Sequence, residues 1–168
     1  TQVAVVESAA EAHAGYAHLR ELSPEVPFAQ QYLTGQRCLF GGLFDNGRML
    51  QWFSQTTTEA VRATGPSIRV RSHRNEKLTE YSRRLFENFG WSGLACAEYI
   101  RGPDGSYTFL EVNPRPWAAI LAAHRCGVPL LQSFADYLKG KRDFREIAFP
   151  EGKDVPLFPQ FLITRLGQ

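Results

Sequence analysis

The sequence predicts an α+β fold, a mostly antiparallel sheet with helices packed on it, and three stretches carry that prediction. Asp45-Asn46-Gly47 separates two β-prone runs, Cys38–Phe44 and Arg48–Ser54, and Asn-Gly supplies the positive φ angles of a tight hairpin turn. A second hairpin reads from Leu94–Ile100 through the turn residues Arg101–Gly105 to Tyr107–Val112. Between them, Leu78, Tyr81, Leu85, Phe86 and Phe89 fall on one stripe of a helix that Asn75 caps and Gly90 stops. Strands joined by tight turns must pair antiparallel, and one amphipathic helix covers one face of such a sheet.

Composition narrows the function classes. A chain of 168 residues can build one domain with a core. A net charge of +2 is too small to argue for a nucleic-acid or membrane partner, and no apolar run approaches the ~20 residues of a membrane-spanning helix. The start, TQVAVVESAA, has no basic segment leading an apolar stretch and does not read as a signal peptide. Cys38, Cys96 and Cys126 are odd in number, widely spaced and set in apolar sequence, which fits reduced thiols in a cytoplasmic protein.

The other elements follow in chain order. Thr1–Val6 is β-prone, and Ser8-Ala-Ala-Glu11 is a capping box that opens a helix over Ala9–Leu22, ended by Ser23-Pro24. Val26–Leu33 reads as a strand entering a turn at Thr34-Gly35. Gln55–Arg74 lacks periodicity and holds Arg62, Arg69, Arg71, His73 and Arg74. It reads either as a solvated loop or as a lid whose guanidinium forks bind oxyanions. No aromatics interleave with these arginines, against a nucleic-acid patch. Pro116 opens a helix to Cys126, Pro129 another to Lys139, and Gly127 and Gly140 close them; His124 suits a helix end. The proline-punctuated remainder from Asp143 reads as an edge strand or a tail laid over the domain.

Three side chains in the second hairpin are out of place in a plain core: Glu98, Glu111 and Asn113. Glu111 and Asn113 are two apart and point to one side of a strand that Pro114 and Pro116 end. Two acids and an amide oxygen suit a hard cation such as Mg²⁺, while acids on the solvated face of a sheet are the plain alternative. Glu98 joins the pair if it opposes an odd-numbered residue. The turn at Gly102–Gly105 points to Phe109, with Glu111 as a diagonal neighbour about 7–8 Å away.

Glu98 followed by Leu110-Glu-Val-Asn-Pro-Arg115 resembles the C-terminal half of an ATP-grasp domain, in its carbamoyl-phosphate-synthase-like branch. The resemblance runs from about Val3 to about Gly140. It implies that Glu98, Glu111 and Asn113 hold Mg²⁺ (or Mn²⁺) on the phosphates of ATP, and that Arg115 faces the reacting phosphoryl group. It places Gln30, Gln31, Tyr32 and Leu33 at the hinge whose backbone meets the adenine, and gives Arg69 and Arg71 a nucleotide-phosphate role. Where the family often has a ribose-holding acid, Gln36 and Arg37 stand instead. The implied reaction is ligation: a small carboxylate substrate takes the γ-phosphate of ATP to give an acyl-phosphate, which an amine or similar nucleophile attacks. A non-catalytic nucleotide-binding or regulatory module on the same fold is the rival. The implied organisation is residues 1–140 as the central and C-terminal part of the domain and 141–168 as an extension on or beside it. The family's two phosphate-binding lysines and glycine-rich loop are expected upstream of Thr1. The only lysines here, Lys77, Lys139, Lys141 and Lys153, have no such loop beside them, and the chain by itself is expected to be inactive.

Overall fold

The computed structural model describes residues 3–61 and 65–166, so Arg62 lies outside the described residues. The chain divides into two units, residues 1–34 and 35–168. In the first, helix α1 (Ala9–Leu22) forms where the capping box placed it. The Ser8 hydroxyl accepts from the Glu11 N–H at 3.2 Å, and the Glu11 carboxylate reaches back to the Glu7 N–H at 3.0 Å. No residue of α1 is buried. The strands expected over Thr1–Val6 and Val26–Leu33 do not form within the described residues: 3–6 and 25–34 have no ladder partner. A β-prone sequence becomes a strand only when another strand satisfies its N–H and C=O groups.

The second unit is a six-stranded antiparallel sheet in the order β5-β4-β1-β2-β3-β6, built from β1 (Gln36–Asp45), β2 (Arg48–Ala60), β3 (Ser67–Ser72), β4 (Gly93–Arg101), β5 (Tyr107–Asn113) and β6 (Asp154–Pro156). The β1–β2 hairpin turns at Asn46 (φ 47°) and Gly47 (φ 79°), the pair of left-handed residues that Asn-Gly supplies. The stretch 55–74, read as a loop or lid, is corrected in its described part. β2 continues to Ala60, and β3 occupies Ser67–Ser72 with Ile68 and Val70 buried. Basic residues on the outward positions masked its period-two pattern.

Alternation assigns the faces. Cys38, Phe40, Trp52, Ala97 and Tyr99 share one face, covered by α2 (Glu76–Phe89): Phe86 stacks on Phe44 with centroids 4.0 Å apart, and the Ser82 and Tyr99 hydroxyls lie 3.0 Å apart. Leu39, Gly41, Gln51, Phe53 and Glu98 share the other, covered in part by α3 (Ile120–Arg125), α4 (Leu130–Leu138) and the segment before β6. The Ser133 hydroxyl donates to Gln51 Oε1 at 2.6 Å, and Gln51 Nε2 donates to the Arg145 carbonyl at 3.1 Å. The helix expected from Pro116 starts only at Ile120, because Trp117 first turns its indole onto Gly41. Helix α5 (Gln160–Leu166) ends the described chain.

A Cβ at Gly41 would overlap the Trp117 ring, so the glycine is what lets the indole seat on the sheet. Gly41→Ala is therefore expected to lower unfolding free energy by about 1–3 kcal/mol in urea denaturation, the usual cost of overpacking a core. An unchanged midpoint would show that Trp117 packs elsewhere.

Candidate functional site

The four residues Glu98, Glu111, Asn113 and Arg115 come together at the β4–β5 pair. Glu98 lies directly opposite Glu111, and Cys96 opposite Asn113. This corrects the expected register. Phe109 faces Tyr99, because a β-bulge between Glu98 and Tyr99 leaves Leu110 as the extra residue of β5. The bulge has a physical cause. Without it Tyr107, Phe109, Glu111 and Asn113 would all share one face, mixing aromatics with acids. With it, Tyr107 and Phe109 turn to the α2 side, where both make edge contacts with Tyr99 at 6.5 and 5.9 Å, and the acids turn to the other.

Asn113 ties the group together. Its Nδ2 donates to Glu111 Oε1 at 2.7 Å and, more weakly, to Glu98 Oε1 at 3.5 Å, while its Oδ1 accepts from the Arg115 guanidinium at 3.3 Å. Arg115 also donates to the Pro116 carbonyl at 3.2 Å. One amide NH₂ thus bridges two carboxylates that would otherwise repel. Burial, then the Glu111 charge, raises the Glu98 pKa above the ordinary 4.5, and Arg37 and Arg115 pull against that rise. Burial also pushes the neighbouring Cys96 thiol up to about 12, with the Glu98 charge as the next cause, so Cys96 is not a thiolate at neutral pH.

The donor set fits a hard cation. A cation placed between Glu98 and Glu111 would take over the bridging role of the Asn113 N–H, and rotation of the amide would present its oxygen. Among the described residues no group of three or more His, Cys, Asp or Glu side chains forms a metal cluster. Two acids and one amide are a partial shell that needs further oxygen ligands.

The other expected site residues have different surroundings. Gln30, Gln31, Tyr32 and Leu33 belong to the first unit, in unpaired chain, with Tyr32 exposed and Leu33 half-buried. Arg69 and Arg71 lie on β3, not on a loop. Arg71 makes a two-pronged pair with Asp154 at 2.8 and 3.1 Å, and Arg69 lies 3.5 Å from Glu59 with its guanidinium over the Phe161 ring. Sequence reading gave Arg37 no role at the acids. It stands on β1 two residues before Leu39, which opposes Glu98, so β-alternation puts it on the acids' face. No helix among the described residues is long and apolar enough to cross a membrane.

The pKa of Glu98 fixes the sign of one prediction. A carboxyl whose folded pKa is raised is stabilising below its unfolded pKa of about 4.5, and that contribution is lost as pH rises through the folded value. In metal-free buffer Glu98→Gln should therefore raise the melting temperature relative to wild type at pH 7, with the gain fading below pH 4.5. A gain that persists at low pH would assign it to packing instead of charge.

No family model and no curated protein matches the sequence, whereas solved structures match its fold. Biotin carboxylase from Campylobacter jejuni, in a β,γ-ATP complex, superposes with a TM-score of 0.74 at 14% identity over 91% of this chain. N5-carboxyaminoimidazole synthetase from Staphylococcus aureus with ADP gives 0.59 at 12% over 71%. The biotin carboxylase domain of Hydrogenobacter thermophilus 2-oxoglutarate carboxylase, with MgADP and bicarbonate, gives 0.53 at 17% over 68%. The chain spans 37%, 34% and 27% of those three chains. Its antiparallel sheet with packed helices is the fold of part of an ATP-grasp domain.

Proposed function

We propose that this chain is the Mg-ATP-binding part of an ATP-dependent carboxylate ligase of the carbamoyl-phosphate-synthase-like kind. The observation that carries the reading is the direct opposition of Glu98 and Glu111 with Asn113 bridging them and Arg115 bonded to Asn113. Like charges placed opposite each other on a sheet are destabilising, so the arrangement calls for a compensating cation. Mg²⁺ carried on ATP would supply that charge and the missing oxygen ligands.

On this reading Glu98 and Glu111 would hold the cation that carries the phosphates, and Asn113 would present its amide oxygen to it. Arg115, which donates to Asn113 Oδ1, would be freed by that change to direct its fork at the phosphoryl group passing to a small carboxylate. The half-buried setting of Glu98 and Asn113 strengthens their interactions relative to water, while Glu111 and Arg115 are exposed. That phosphoryl transfer would break the γ-phosphoryl bond to ADP, and attack of an amine or similar nucleophile on the acyl-phosphate would release inorganic phosphate. The backbone of Gln30–Leu33 is assigned to the adenine. Arg69 and Arg71 are given a structural role, since Glu59 and Asp154 already hold them.

The rival is a nucleotide-binding module without turnover, which would use the same acids and amide. The two readings separate in the intact protein that carries this segment. Both expect ADP or ATP with Mg²⁺ to raise the melting temperature, and Glu111→Gln to abolish that shift while leaving the nucleotide-free melting curve nearly unchanged. Only the ligase reading expects phosphate release that depends on both a carboxylate and an amine. An undiminished Mg²⁺-dependent shift in Glu111→Gln would contradict both.

A further inference from the structure

β5 is an edge strand of the sheet, so β4 alone sets its register. Its two halves have opposite parity: Tyr107 and Phe109 face α2, Glu111 and Asn113 face the other side, and the bulge at Leu110 lies between them. Burial holds little of the first half in place. Thr108 is exposed, Phe109 is 45% exposed and Leu110 39%, whereas Tyr107 is only 8% exposed. A ladder continued without the bulge from the Glu98–Glu111 pair would set Phe109 opposite Ile100. Alternation would then turn the Phe109 ring onto the acids' face, beside Glu98.

Tyr107 is tied down through its hydroxyl. That oxygen lies 2.9 Å from His73 Nε2, and His73 Nδ1 lies 3.3 Å from Glu151 Oε1. With the Nδ1 proton directed at the carboxylate, Nε2 is the acceptor for the phenol O–H. Burial raises the Tyr107 pKa, so the hydroxyl keeps the proton it donates. His73 is itself fixed and cannot follow a shifted tyrosine. Its backbone N–H donates to the Ser54 carbonyl at 2.9 Å, and its carbonyl accepts from the Ser54 hydroxyl. Glu151 is held in turn by the Arg74 N–H. The chain Tyr107–His73–Glu151 thus joins β5, at one edge of the sheet, to the segment that leads into β6 at the other.

We propose that Tyr107 and His73 are positioning residues for the acid pair: their hydrogen bond holds the first half of β5 in the bulged register and so keeps the Phe109 ring off the face that Glu98 and Glu111 share. The link to binding rests on reading that face as the cation site, whereas the register can be measured without any ligand. Loss of the bond leaves the nearly buried His73 Nε2 without its partner and releases the one well-buried side chain among residues 107–110. The unbulged register then competes with the bulged one. Affinity for a metal-bound nucleotide falls in proportion to the fraction of molecules that keep the bulge.

The experiment uses the intact protein, ¹³C-labelled at Phe, Tyr and Ile, and reads the register from NOEs of the Phe109 ring. Wild type should show contacts to the Tyr99 ring, whose centroid lies 5.9 Å away. Tyr107→Phe and His73→Leu should replace them in part by contacts to the Ile100 methyl groups. The same variants should weaken Mg²⁺–ADP binding, followed by calorimetry, by about threefold or more. His73→Gln, whose amide oxygen can accept from the phenol, should restore most of both. A role in packing alone would lower the melting temperature while leaving register and affinity unchanged. Tyr107→Phe keeps the ring and removes one oxygen, so it decides the question if His73→Leu does not fold. An unaltered Phe109–Tyr99 contact in Tyr107→Phe would overturn the proposal, as would a changed register with unchanged Mg²⁺–ADP affinity. A wild type that binds no Mg²⁺–ADP would contradict the ligase reading instead, and the NOE pattern would still decide whether Tyr107 and His73 hold the bulge.

Discussion

Two carboxylates opposed across adjacent strands are the constraint on which the site depends. Glu98 and Glu111 occupy a cross-strand pair position, where Cβ atoms approach to about 4.5–5.5 Å, and Glu98 is partly withdrawn from water. Such a pair costs stability in any protein that has no use for it. Here it is tolerated because Asn113 places an N–H donor between the acids, and because Arg37 and Arg115 flank them. These donors and charges offset the repulsion only in part, since the Glu98 pKa stays raised, and the proposed Mg²⁺–nucleotide would supply the rest.

The sheet and its helices make that arrangement rigid. β4 is buried along most of its length between β1 and β5, so Glu98 cannot move without displacing core. On one face Phe44, Phe86 and Tyr99 lock α2 to the sheet; on the other, Trp117 seats on Gly41, two residues before Leu43 on the strand that pairs with β4. The C-terminal segment returns to the opposite edge as β6, and buried Phe149 packs against Trp52 and Phe53. The acids therefore sit on a framework supported from both sides, with Arg115 just past the end of β5.

Much of this was legible in the residues, and the reasons for the remainder are specific. Asn46-Gly47 and the Asn75-to-Gly90 helix carry their own turn and capping chemistry, so local sequence decides them. Glu111 and Asn113 on one face needed only the strand period and held. The register with Glu98 did not, because counting from the turn ignores a bulge. The signal was present in the stripe Tyr107, Phe109, Glu111, Asn113, whose odd positions change from aromatic to polar midway and cannot all face one environment. The strand expected over Val26–Leu33 failed for a different reason: propensity proposes an extended chain, but only a partner makes it a strand. β3 was hidden by the arginines on its outward positions, whose partners Glu59 and Asp154 lie 10 and 83 residues away in sequence. Arg37 was invisible as a site residue because its face follows only from the β1–β4 register.

The proposed site requires one cation on the face shared by Glu98, Glu111 and Asn113 while the bulge keeps Phe109 on the other. Paramagnetic broadening by Mn²⁺ with ADP measures this directly on the ¹⁵N- and ¹³C-labelled protein. The side-chain signals of Glu98, Glu111 and Asn113 should be lost first, at substoichiometric Mn²⁺ and only with ADP present, while the rings of Tyr99 and Phe109, facing α2, broaden later. Equal broadening of the Phe109 ring and the Glu111 carboxyl, or broadening centred away from the β4–β5 pair, would contradict the shared metal site.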